Sequence, residues 1–153
     1  MLSKEERKAL NSSFWDTFRK EMRQYKSVNG RGMNWINYPS DVKDIYIRLQ
    51  ADPKGARLCF DIQPKDDGVR SILWEQMTEL KVVLEDAVGI AVWNENDHIF
   101  NGRTVSRIFW ELTDVNFYAA KDHEKIKDFL KQKLIDFDAF YQEFKEILII
   151  LAE

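Results

Sequence analysis

The chain has 153 residues, 44% apolar, 13% aromatic and 32% charged, with a net charge of −3 and a single cysteine. These values exclude a disordered chain, a disulfide-stapled scaffold and a strongly basic protein of the kind that coats nucleic acid. A chain of this length buries roughly 68–70% of its unfolded surface in one core, so one domain over residues 1–153 is expected.

Charge is unevenly placed. Residues 1–57 hold twelve Lys/Arg against seven Asp/Glu, giving +5, and residues 58–153 hold eleven against nineteen, giving −8. This asymmetry marks either a basic binding face or two ends of one fold that neutralise each other. The first ten residues carry charges where a signal peptide has its apolar core, and the longest fully apolar run, 147–152, falls well short of the ~20 residues of a membrane helix. A cytoplasmic protein with no membrane partner is therefore expected.

Ser3 and Glu6 form a capping-box pattern, and Leu10, Phe14, Phe18, Met22 and Tyr25 then recur at spacings of three and four. That spacing predicts a helix over 4–27 that stops before Asn29-Gly30. Residues 33–38 read as a short strand ending at Pro39, or as a segment whose Trp35 plugs the core edge. From Asp44 to Gln63 the period is two: Ile45, Ile47 and Leu49 alternate with Tyr46, Arg48 and Gln50, and after a Pro/Gly break Leu58, Phe60 and Ile62 alternate with Arg57, Cys59 and Asp61. This is a β-hairpin with one apolar face to be covered by helices.

Asp66-Asp67-Gly68 opens a second helix with an apolar stripe of Val69, Ile72, Leu73, Gln76, Leu80, Val83, Leu84 and Ala87, and Gly89 is its stop. A short strand over 90–93, a loop over 94–104 and a strand over 105–113 follow. In the last strand Ile108, Trp110 and Leu112 share one face, and Arg107, Phe109 and Glu111 the other. Asp122 then caps a long helix with the stripe Ile126, Phe129, Leu130, Phe137, Phe140, Tyr141, Phe144, Ile147 and Leu151. Its apolar end either is buried on two sides or pairs with another copy, which would make a homodimer through the C-terminal helix. The expected fold is α+β in the order α-β(2-3)-α-β(2)-α, with an antiparallel or mixed sheet of four or five strands, helices mainly on one face and a long C-terminal helix.

Catalytic signatures are sparse. No phosphate-binding glycine loop, GxSxG or HExxH pattern occurs. His98, His123 and Cys59 are too dispersed for a zinc site, so no metal or cofactor is expected. The element order is nevertheless that of the PD-(D/E)XK nucleases, in which strand carboxylates hold Mg²⁺. Asp61-Ile62-Gln63 has the spacing of the second carboxylate and its water-positioning partner, with Asp44 or Asp52 as the first carboxylate. The plainer reading is a solvent-exposed strand end. A nucleic-acid partner is suggested by Arg19, Lys20, Arg23, Lys26 and Arg31 near Trp35 and Tyr38; the plainer reading is a solvated helix side above core aromatics. The same order also occurs in secretion-chaperone-like domains that dimerise around protein partners, an analogy of fold alone.

Phe14-Trp15, the run from Met77 to Glu85, Gly89, Trp93, Ser106-Arg107-Ile108, Phe129 and Tyr141 together resemble a bacterial and archaeal domain family of unknown function. The resemblance implies an accessory domain that occurs alone or C-terminal to nuclease-like regions, in DNA-processing or defence settings, without catalytic residues to carry over. It sets Trp15, Lys81, Glu85, Trp93 and Arg107 apart as a polar cluster in an aromatic frame. The expected function is thus a non-catalytic binding domain. Its face would be Arg48, Arg57, Asp61, Arg107 and Glu111 on the polar side of the sheet, joined by Arg19, Arg23 and Arg31.

Overall fold

The computed structural model describes the backbone of residues 1–153 and the side chains of all but residues 97–100. The elements are α1 (Lys4–Met22), β1 (Ile45–Asp52), β2 (Gly55–Ile62), α2 (Asp67–Glu79), α3 (Lys81–Val88), β3 (Val92–Phe100), β4 (Arg103–Thr113), a 3-10 turn (Ala120–Asp122) and α4 (His123–Ala152). The fold is α+β, and its four strands form one antiparallel sheet in the order β1-β2-β4-β3.

The capping box of α1 is present in both halves: Ser3 Oγ accepts from Glu6 N–H and Glu6 Oε1 from Ser3 N–H. The helix ends at Met22, not at residue 27. Past that point tertiary partners take the backbone groups that a helix would need: Trp35 Nε1 donates to the Tyr25 carbonyl at 3.0 Å and Val28 N–H donates to Asp138 at 2.7 Å. Residues 33–38 form no strand. Asn34 Oδ1 accepts from Asn37 N–H in a side-chain turn, and Trp35 and Tyr38 are buried in the core.

The first hairpin has the expected faces, with Ile45, Ile47, Leu58, Phe60 and Ile62 buried. Its turn is held by Asp52 Oδ1, which accepts from Lys54 N–H and Gly55 N–H. Only glycine fits at Gly55, because a Cβ there would lie 2.2 Å from the Leu112 carbonyl oxygen of β4.

Asp66 caps α2 through Gly68 N–H and Val69 N–H. The helix expected as one rod is two, broken at Leu80 (φ −91°, ψ 3°). The buried stripe is also displaced by one residue: Leu73, Met77, Leu84 and Val88 are buried, whereas Ile72 and Val83 are exposed. Gln76, the polar interruption in the expected stripe, marks the displacement, because a core-facing row has no reason to carry it.

The expected loop over 94–104 is a hairpin. β3 continues to Phe100, and Asn101-Gly102, both at positive φ, make the two-residue turn into β4. The alternation is lost in the sequence because β3 is bulged between Asn94 and His98. The bulge is held from the helical side: the Glu95 carbonyl accepts from Ser106 Oγ at 2.5 Å and from Arg70 Nη1 at 3.1 Å.

Asp122 does not cap α4 with its side chain. It accepts instead from Asn116 N–H at 2.8 Å, which ties down the β4–α4 connection. α4 lies across the apolar face of the sheet, with Phe137 packed on Phe60 (5.7 Å between ring centroids), Trp110 (6.2 Å) and Tyr141 (5.2 Å). α1 packs beyond it, where Phe14 meets Phe117 and the His123 ring. The helices thus form one layer on one side of the sheet. At the far end of α4, Ile147, Ile150 and Leu151 remain exposed.

Candidate binding face of the sheet

Side chains of odd parity in β2 and β4 and of even parity in β1 point away from the helices, as strand pleating requires. The register sets Tyr46 beside Asp61 and Asp61 beside Arg107, Arg48 beside Cys59 and Cys59 beside Phe109, and Gln50 beside Arg57 and Arg57 beside Glu111. Arg48, Arg57, Asp61, Arg107 and Glu111 therefore share this face, as alternation alone predicts.

They do not lie free on it. Asp61 is fully buried beneath two guanidinium groups. Arg107 binds it bidentately, Nε to Oδ1 at 2.7 Å and Nη2 to Oδ2 at 2.9 Å, and Arg48 Nη1 reaches Oδ2 at 2.5 Å. The same Arg48 nitrogen donates to Gln63 Oε1 at 2.8 Å. The hydrogen bond to Asp61 holds the Arg107 guanidinium even more firmly protonated than usual. Towards the hairpin turn a second group forms: Arg57 donates through Nε to Gln50 Oε1 (3.0 Å), through Nη1 to Glu111 (2.8 Å) and through Nη2 to Asp52. Arg48 also lies over the Tyr46 ring, 4.6 Å from its centroid, and Tyr46 is exposed. The face is a floor of paired charges with an aromatic ring at one edge.

Cys59 lies at the centre of this floor, fully buried. Burial pushes its thiol pKa up to about 12, partly opposed by the charge of Arg107. It is therefore expected to resist a thiol reagent at neutral pH in the folded protein and to react only with the rate of unfolding; rapid stoichiometric labelling without denaturant would contradict this.

Three of the nuclease-like candidates, Asp61, Gln63 and Asp52, have their side chains engaged within the protein. Both oxygens of Asp61 and the acceptor of Gln63 are engaged by arginines, Asp52 serves the turn and Arg57, and the Asp44 carbonyl accepts from Gln63 N–H. Among the described residues no group of three or more His, Cys, Asp or Glu side chains could hold a metal ion; the His98 side chain lies outside them.

Arg19 and Arg23 line a cleft with Met33, Trp35 and Ile36 in the helical layer, apart from the sheet face. Arg19 pairs with Asp16 at 2.8 Å. Arg31 is on the adjoining turn, where its carbonyl accepts from Ser27 N–H. Trp35 and Tyr38, buried, offer no surface to a base. Lys81, Glu85 and Trp93 do meet: Trp93 Nε1 and Ala91 N–H donate to Glu85 Oε2, and Lys81 Nζ lies 5.2 Å from the Trp93 ring. Trp15 stacks instead on Phe117 at the other end of the helical layer, and Arg107 is on the sheet face.

Sequence reasoning missed two buried polar centres. Arg70 on α2 donates to Ser106, Asn96 and the Glu95 carbonyl, and Asp138 on α4 accepts from Ser27, Val28 and Tyr38. The one available signal was Asp138 itself, an acid set between Phe137 and Tyr141 on a core-facing row.

The architecture is that of a small α+β domain with one helical layer and a charge-paired open face. The chain belongs to the family described as a domain of unknown function, DUF4268, whose model matches residues 10–145. No curated protein and no solved structure matches the chain. Among the described residues no helix is long and apolar enough to cross a membrane.

Proposed function

We propose that this chain, acting as one domain in the cytoplasm, is a non-catalytic binding domain accessory to nucleic-acid-processing or defence proteins, with the open face of its sheet as the binding surface. The observation that carries the reading is the state of Asp61. A carboxylate that ligates Mg²⁺ must present lone pairs to a hydrated, octahedral ion, and both oxygens of Asp61 are taken by guanidinium groups inside the protein. Their chemistry is spent on fixing Arg48 and Arg107 in place. A face with immobilised guanidinium groups and an exposed ring suits recognition of a polar or acidic partner, because little side-chain entropy is lost when it binds.

The test is Mg²⁺-dependent cleavage of single- and double-stranded DNA by the wild type and by Asp61→Ala. No cleavage by either protein is expected. Cleavage by the wild type that disappears in Asp61→Ala would overturn the reading in favour of a nuclease.

A further inference from the structure

We propose that two copies of this chain join through the outer edge of β1, antiparallel about a two-fold axis at Leu49, so that their sheets merge into one. β1 is an edge strand. The bond from Gln63 N–H to the Asp44 carbonyl sets the phase of its ladder: Tyr46, Arg48, Gln50 and Asp52 aim their backbone groups at β2, and Ile45, Ile47, Leu49 and Ala51 aim theirs outward. The first residue of this outer row is occupied by the chain itself: Ile45 N–H donates to the Val42 carbonyl and the Ile45 carbonyl accepts from Ser40 Oγ. The outward groups of Ile47, Leu49 and Ala51 have no partner among the described residues, and the strand ends at Asp52, before Pro53.

Edge strands are normally protected by a bulge, a proline or an inward lysine. β3, the opposite edge, has its bulge. β1 has none of these: it pairs with β2 through unbroken register from Ile45 to Asp52. Its free stretch is also symmetric about Leu49, which is the requirement for pairing with itself. In that register Leu49 faces the partner's Leu49 and Ile47 faces the partner's Ala51, and every free donor and acceptor is matched.

The neighbouring registers fail on charge or on bonding. Centring on Arg48 sets two arginines directly opposite each other on the same face, which is unfavourable. Centring on Ile47 requires the outer groups of Ile45, which are already engaged. Centring on Gln50 brings Ile47 opposite the partner's Pro53, beyond the end of its strand. The Leu49 register instead places Arg48 opposite the partner's Gln50 and diagonal to the partner's Asp52, so that unlike charges approach across the axis.

Sedimentation equilibrium of the whole chain is expected to give twice the chain mass. Leu49→Pro removes an N–H that points outward and serves no bond within the chain; it is expected to give the monomer mass with unchanged far-UV circular dichroism. Should that variant unfold, Leu49→Cys decides. Residues facing each other in a hydrogen-bonded antiparallel pair have Cα atoms about 5.5 Å apart, within disulfide range, so mild oxidation is expected to convert most of Leu49→Cys to a covalent dimer. Tyr46→Cys, which faces the partner's Asp52, is not expected to cross-link, and buried Cys59 keeps the background low. A monomeric wild type overturns the proposal. So does a dimer that withstands Leu49→Pro, fails to cross-link through Leu49→Cys and dissociates on Ile150→Glu, which would move the interface to the end of α4.

Discussion

Replacing Asp61 with alanine is expected to lower the stability of the fold by about 3–5 kcal/mol, the range found when one member of a buried ion pair is removed, as read from denaturant unfolding. The cost comes from what remains. Arg107, with 12% of its side chain exposed, would keep a charge beneath the face with no counter-ion; Arg48, at 28%, can turn partly to water. The double variant Asp61→Leu with Arg107→Met is therefore expected to be more stable than Asp61→Ala, since apolar groups of similar size then replace the pair. A loss below about 1 kcal/mol in Asp61→Ala would show that the pair behaves as a surface ion pair.

Asp138→Ala is expected to have an effect of similar size, for a different reason. Asp138 is buried on α4 and has no ion-pair partner among the described residues; Oδ1 accepts from Tyr38 OH at 2.6 Å, both oxygens accept from Ser27 Oγ at 3.0 Å, and Oδ2 accepts from Val28 N–H at 2.7 Å. Removing the acceptor leaves the Ser27 and Tyr38 hydroxyls unpaired in a buried site, at about 1–3 kcal/mol each, whereas the Val28 N–H, on an exposed residue, can turn to water; the total is roughly 2–6 kcal/mol. Asp138→Asn, which keeps one oxygen, is expected to lose less, and Tyr38→Phe, which removes one donor, about 1 kcal/mol. Burial, and then the bond to Asp138, raise the Tyr38 pKa well above its ordinary value, so this phenol stays a donor through the neutral range. Hydrogen exchange can separate the two carboxylates: protection across residues 23–44 is expected to fall in Asp138→Ala and to persist in Asp61→Ala.

The strands were legible wherever one face is apolar, because a half-buried strand writes its period of two directly into the sequence. That is why the hairpin, and the membership of the open face from Arg48 to Glu111, follow from alternation. β3 was not legible past Trp93, since the bulge inserts polar residues that break the period, and the Asn101-Gly102 pair that makes the turn was absorbed into a loop over 94–104. The helices were legible as elements and less so as faces. Choosing Ile72, Gln76 and Val83 over Met77 and Val88 is an error of one residue on a wheel, and Leu80, where the rod breaks, has no sequence signal of its own. What alternation could not convey is pairing. It placed Asp61 on the polar side but could not show that Arg48 and Arg107 close over it. Nor could it show that Tyr38 faces inward, because its hydroxyl is held by Asp138, a hundred residues further along the chain.

The position of α4 constrains how the protein is made. It contacts the sheet, α1, α2 and α3, and through Asp138 and the bond from Tyr141 OH to the Ser40 carbonyl it also anchors the segment after α1. The elements it contacts therefore complete their packing only on a helix that is synthesised after them. Until α4 emerges from the ribosome, the hairpins have an uncovered apolar face and the segment around Tyr38 has nothing to dock on. Folding is thus set to occur late, as one event, and the nascent chain is most open to chaperones and to misassociation during the interval in which its first 122 residues exist without α4.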